Sequence, residues 1–158
     1  MKDTGEKPEF CCFGVIDECH FRCRMCYKWR EDLRIKGRKR AELKDWKRAV
    51  LSLKEIVEEG FLIHFGGGEP LLMEELWELV RFSSQQGFST NVATNGYLID
   101  EEMAKKIGDS GLTLINLSLD SLQEVKHDYM RGRKGAYRKV MEAIEYLHQY
   151  APEVKKGL

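Results

Sequence analysis

Phe61-Leu62-Ile63-His64-Phe65-Gly66-Gly67-Gly68-Glu69-Pro70 is the stretch on which the fold of this chain turns. Its first half is an apolar run of strand length, which glycines and then a proline bring to an end. Upstream, Trp46, Val50, Leu53 and Val57 recur at helical spacing, which predicts a helix over Leu43 to Glu59 stopped by Gly60. Downstream, Leu76, Leu79, Val80 and Ser83 share one face of a helix expected over Met73 to Gln86. A buried strand between two amphipathic helices is the unit from which parallel sheets are built.

The same unit recurs on both sides. Phe10 to Asp17 is apolar at both parities, as in a strand covered on two faces. Phe88 to Thr94 and Leu112 to Ser118 read as the third and fourth strands. Asp100 is placed to cap a short helix carrying Met103, Ala104 and Ile107. Tyr137, Val140, Ile144 and Leu147 predict a last helix over Ala136 to Tyr150, after a charged loop holding Arg131-Gly132. The expected architecture is α/β: a sheet of four parallel strands in the order 1-2-3-4, joined by right-handed helical crossovers. Residues 1–9 form a polar arm and 10–158 one domain. The fourth strand would then be an edge without the Lys or Pro that blocks pairing, so the chain is expected to be marginally stable and to associate through it.

Lys plus Arg and Asp plus Glu number 26 each, so net charge gives no warrant for a nucleic-acid or membrane partner. The densest basic run, Lys36, Arg38, Lys39 and Arg40, reads as a solvated loop. No apolar stretch approaches membrane-spanning length, and the polar first residues lack a secretory core, which predicts a cytoplasmic protein. In that compartment the five cysteines read as metal ligands or buried thiols rather than disulfides.

Cys19-His20-Phe21-Arg22-Cys23-Arg24-Met25-Cys26 sets three thiols in one polar loop, directly after the first strand. Three such sulfurs can hold three irons of a cubane, leaving the fourth iron open to an outside ligand. Zinc is the competing metal, although a structural zinc prefers four protein ligands and His20 sits too close between the cysteines to serve comfortably. Buried structural thiols fit poorly in a loop that also carries Arg22 and Arg24. Cys11 and Cys12, within the strand, read as packing residues, and His64 as a core histidine. The glycine run lacks the lysine and Ser/Thr of a phosphate-binding P-loop. Thr94-Asn95-Gly96 and Ser118-Leu119-Asp120 also close strands, so every unusual segment falls at the sheet's C-terminal edge, where ligands gather in parallel α/β folds.

Cys19, Cys23 and Cys26 at this spacing, with Gly67-Gly68-Glu69-Pro70 after the second strand, resemble the motifs of the radical S-adenosylmethionine (radical SAM) superfamily. Thr94-Asn95-Gly96, Ser118-Leu119-Asp120 and the stretch from His127 to Gly132 are similar to segments of its cofactor-maturing and peptide-modifying (SPASM-type) branch. The resemblance implies a 4Fe–4S cluster on the three cysteines, with SAM on its open iron. Gly67, Gly68 and Glu69 would receive the methionine amine, and Ser118 with Thr94 or Asn95 would lie near the ribose or carboxylate. Met25 and Tyr27 flank Cys26, where the family often has an aromatic residue against adenine; a thioether can also pack on a ring. The implied reaction is reductive cleavage of SAM to a 5′-deoxyadenosyl radical that takes hydrogen from a substrate, a small molecule or a peptide. An electron donor such as flavodoxin or ferredoxin would be the partner. That core generally has six units, so the resemblance implies a partial (β/α) barrel here, its helices on the outer face, with C-terminal units beyond Leu158.

Asp120 either faces the site or caps the loop after the fourth strand, and Arg131 either reaches SAM or substrate or steadies a turn. A second reading of the whole stays open: a non-catalytic iron–sulfur or other metal-binding, electron-transfer module. An intact Gly67-Gly68-Glu69 favours the enzyme, because a carrier has no use for an amine receptor.

Overall fold

β1 (Phe10–Ile16), β2 (Leu62–Gly67), β3 (Ser89–Thr94), β4 (Leu114–Leu117) and β5 (Lys155–Gly157) pair in parallel, in sequence order, in one sheet of a partial barrel. The structure is a computed structural model that describes residues 8–29 and 40–158. Most of the polar arm and of the basic run, Arg40 excepted, lies outside the described residues. Phe13, Phe65, Val92, Ile115 and Lys156 stand in one row across the five strands. The next row, Cys12, His64, Asn91, Leu114 and Lys155, faces the other way.

Helices cover only the first of these faces. α1 (Leu43–Lys54) packs on α2 (Leu76–Gln85), while α3 (Glu101–Gly108) and α4 (Glu124–Arg131) pack on α5 (Ala136–Tyr150). Phe65, Val92 and Ile115 are buried beneath Leu76, Leu79, Val140 and Leu147, which form one continuous core with them. The other face is polar and partly open, and Asn116 Nδ2 donates across it to Asn91 Oδ1 at 3.3 Å. Every strand therefore aims its C-terminal end at one rim.

Several expectations need correction. The sheet has five strands, not four: Lys155, Lys156 and Gly157 pair with Leu114, Ile115 and Asn116. β4 is thus not an edge, and the strand that is carries the lysines it lacked. That removes the premise for association through β4. The charged loop before the last helix contains α4, which has a single buried residue, His127, and so no apolar stripe to announce it. α1 ends at Lys54, short of Glu59, and leaves Ile56 exposed. A short 3-10 turn, Pro70–Leu72, precedes α2, with the Glu69 side chain capping it. Cys12 is exposed, because β1 is covered on one face rather than two, while Cys11, on the covered face, is half-buried and packs against the core as expected.

Candidate functional site

The cysteine loop begins where β1 ends and is tied at both ends. Cys26 N–H donates to the Cys23 carbonyl at 3.0 Å, folding a turn between those two cysteines, and Trp29 Nε1 donates to the same carbonyl at 2.8 Å. Arg22 donates to the carbonyls of Cys19 and Phe21 at 2.8 and 3.0 Å. Backbone N–H groups point at two of the sulfurs: Phe21 to Cys19 and Lys28 to Cys26, each at 3.4 Å. Arg131 approaches the third, with Nη1 4.0 Å from Cys23 Sγ.

All three sulfurs line one pocket together with Gly68. Burial pushes the Cys19 thiol up, and the neighbouring Glu69, Cys23 and Cys26 charges add to this against the Phe21 N–H. Burial also raises Cys23, while Arg131 pulls it back. Burial thus holds Cys19 and Cys23 back from ionising, and metal binding at these sulfurs would displace their protons. Among the described residues no group of three His, Cys, Asp or Glu side chains is drawn in as closely as one ion requires. A multi-iron cluster, whose ligands sit on separate corners, asks for a wider set and fits these residues.

The glycine run is locked to the same loop. Gly68 N–H donates to the Ile16 carbonyl at 2.6 Å and Glu69 N–H to the Glu18 carbonyl at 2.8 Å. A Cβ on Gly68 would lie 2.0 Å from that Glu18 oxygen, so only glycine permits the approach. Glu69 is 1% exposed. Its carboxylate accepts from Thr94 Oγ1 at 2.5 Å, Asn95 N–H at 3.0 Å and Leu71 N–H at 3.2 Å. Burial raises its pKa, and the hydrogen bonds from Asn95, Thr94 and Leu71, followed by the Arg131 charge, oppose that rise. Glu69 and the Thr94-Asn95 pair, picked out as two motifs in the sequence, form one hydrogen-bonded unit.

Ser118 N–H donates to the Thr94 carbonyl at 2.9 Å, which brings the end of β4 beside that unit. Met25 and Tyr27 stand on the open side of the loop, 51% and 63% exposed. Asp120 and Arg131 meet. Arg131 Nη2 donates to Asp120 Oδ1 at 2.8 Å, and Nε lies 2.7 Å from Oδ2, an ion-pair contact off the hydrogen-bond axis. The pair steadies the loop after β4, and Arg131 at the same time faces the Cys23 sulfur.

Other contributors were not legible in the sequence. Arg24 N–H donates to the Met130 carbonyl at 2.9 Å, and its guanidinium lies 3.9 Å from the Tyr129 ring centroid. A Cβ on Gly132 would come within 2.4 Å of the Arg22 carbonyl, which marks how tightly loop and α4 are pressed together. His20 turns away from the sulfurs into a cage of Phe21 and Tyr97, with both ring nitrogens buried and unpaired. Arg133 closes the cage by donating to Tyr97 Oη at 3.0 Å. The crowding of Arg131, Gly132 and Arg133 behind Asp128 was the one available signal.

Comparison with known proteins settles the lineage. The family model described as "Radical SAM superfamily" matches residues 14–157. The chain belongs to the radical SAM superfamily. It is 32% identical over 159 residues to the Fe-coproporphyrin III synthase of Methanosarcina barkeri, covering 100% of this chain and 38% of that protein. It is 33% identical over 106 residues to the PqqA peptide cyclase of Bradyrhizobium diazoefficiens, covering 66% of this chain and 27% of that one. Among solved structures, Streptococcus suis SuiB bound to S-adenosylmethionine matches with a TM-score of 0.76 at 19% identity, over 90% of this chain and 32% of SuiB. This radical SAM chain thus spans well under half the length of these relatives. Among the described residues no helix is long and apolar enough to cross a membrane.

Proposed function

We propose that this radical SAM chain holds a 4Fe–4S cluster on Cys19, Cys23 and Cys26 and binds SAM beside it. When bound, that pair supplies a 5′-deoxyadenosyl radical through one-electron reduction of the sulfonium, and the radical takes hydrogen from substrate. The observation that carries this reading is the convergence of three thiols and Gly68 on one pocket, backed by a buried carboxylate. Gly67, Gly68 and Glu69 receive the methionine ammonium. A carboxylate offers about four acceptor positions, and Glu69 already fills three of them with protein donors. Its remaining acceptor position and its place directly after the glycine run suit an ammonium. Ser118, with Thr94 or Asn95, serves the ribose or carboxylate; Thr94 and Asn95 bond Glu69 directly, and Ser118 is tied to them through the Thr94 carbonyl. Met25 and Tyr27 pack on adenine.

The substrate is a peptide or a small molecule; relatives named for peptide cyclisation and porphyrin synthesis support both classes. A flavodoxin or ferredoxin supplies the electron, in a cytoplasmic setting. The test is anaerobic reconstitution with iron and sulfide, then addition of SAM and dithionite. We expect about four irons per chain, a reduced-cluster paramagnetic signal altered by SAM, and release of 5′-deoxyadenosine. A cluster whose signal ignores SAM and yields no 5′-deoxyadenosine would instead identify an electron carrier.

A further inference from the structure

Arg131, the last residue of α4, sets its guanidinium against a ligand sulfur and is not free to leave it. Nη1 lies 4.0 Å from Cys23 Sγ, while Asp120 grips the other side of the fork at Nη2 and Nε. Asp120 is itself fixed, because its backbone N–H donates to His127 Nδ1 at 3.2 Å and His127 is 1% exposed. The chain of contacts starts in the core and ends at a sulfur. The Arg131 charge also acts on Glu69, so it stands between the two halves of the site.

We propose that Arg131 is a positioning residue that sets the reduction potential of the cluster through Cys23, held in place by Asp120 and His127. The inference rests on the cluster assignment made above. Hydrogen bonds to sulfur and local net charge are the protein's means of moving a cluster potential. One electron from an external reductant adds to the oxidised cluster, with no bond made or broken. The negative charge gained is stabilised by a cation already in place, which need not reorganise to meet it. Asp120 dilutes this effect but secures the geometry: a loose arginine would solvate its own charge and leave the sulfur.

The test is a dithionite titration of reconstituted chain without SAM, followed by the reduced-cluster paramagnetic signal. Arg131→Gln is expected to lower the equilibrium constant for reduction about tenfold, close to 59 mV for a one-electron couple. Arg131→Lys should stay near wild type, and the exposed Lys134→Gln should not move it. Wild-type chain that takes up no iron defeats the cluster assignment, and this proposal with it. Loaded Arg131→Gln protein with the wild-type potential overturns this proposal alone. If Arg131→Gln loses iron while Arg131→Lys keeps iron and potential, the charge is what matters and the proposal stands. Iron loss in both variants would make the residue a structural one and the proposal wrong.

Discussion

Gly68→Ala is the sharpest test of how the site is built. The new methyl would sit 2.0 Å from the Glu18 carbonyl oxygen and 2.7 Å from that of Asp17, both backbone atoms that no rotamer change can move. Relief to the 3.0 Å below which real contacts essentially never fall needs an opening of 3.0 − 2.0 = 1.0 Å between the exits of β1 and β2. Two backbone hydrogen bonds cross that gap, Gly68 to Ile16 and Glu69 to Glu18. Losing both costs about 2 kcal/mol, and the overpacking adds about 1–3 kcal/mol. The sum, about 3–5 kcal/mol, is a large part of a domain's usual stability of roughly 5–15 kcal/mol. It corresponds to a fall in melting temperature of about 6–20 °C. Iron uptake should fall as well, since the displaced residues lead into Cys19. Gly14→Ala is the control, because its methyl would meet nothing within 4 Å. Calorimetry and iron analysis on both variants decide the matter. A Gly68→Ala protein that melts and loads iron like wild type would show that the two strand exits are not in contact as described.

The remaining predictions are briefer. Cys19→Ala, Cys23→Ala and Cys26→Ala should each abolish the reconstituted cluster, while Cys11→Ala and Cys12→Ala keep it; iron content of the five variants checks this. Glu69 has a pKa raised above its ordinary 4.5, so its contribution to stability is greatest below that pH and is lost as pH rises through its folded value. The stability advantage of wild type over Glu69→Gln, from urea melts at stepped pH, should therefore shrink from pH 4.5 upward; a constant difference would contradict the burial of the carboxylate. Asp128 accepts from Gly135 N–H at 2.6 Å and Tyr137 N–H at 2.9 Å, capping α5 from outside, and Asp128→Ala should cost about 1 kcal/mol near neutral pH. Burial raises the Asp128 pKa, but those hydrogen bonds outweigh it and hold the group below 3.8. Its contribution therefore fades as pH falls through that lowered value, and the penalty of the substitution should fade with it in acid melts.

What could be read from the sequence was whatever periodicity or a strong local signal carries. α5 runs over the predicted Ala136 to Tyr150 because its inner face is apolar at every turn. Asp100 caps α3 through Met103 N–H, as its place before a periodic run suggested. β5 escaped because three residues, two of them lysines, show no strand pattern until β4 is there to pair with them. α4 escaped because its stability comes from Gly132 at its end and from docking on α5, not from a stripe. At the site, the sequence marked Glu69 in one motif and Thr94 with Asn95 in another. Only folding shows the first accepting hydrogen bonds from the other two. The pairing of Arg131 with Cys23 spans 108 positions and has no local signature at all.

The clasp between the cysteine loop and the end of α4 also orders events in time. Arg24 grips the Tyr129 carbonyl from 105 residues earlier in the chain. At a synthesis rate of roughly 5–20 residues per second, the three thiols emerge about 5–20 s before the segment that secures them exists. Throughout that interval the loop has neither Arg131 beside Cys23 nor α4 beneath it, and its sulfurs are open to air and to stray metal. A metal taken up in that interval would sit in a loop that α4 does not yet clasp, so the order of synthesis leaves the thiols unsecured until residues 129–131 are made.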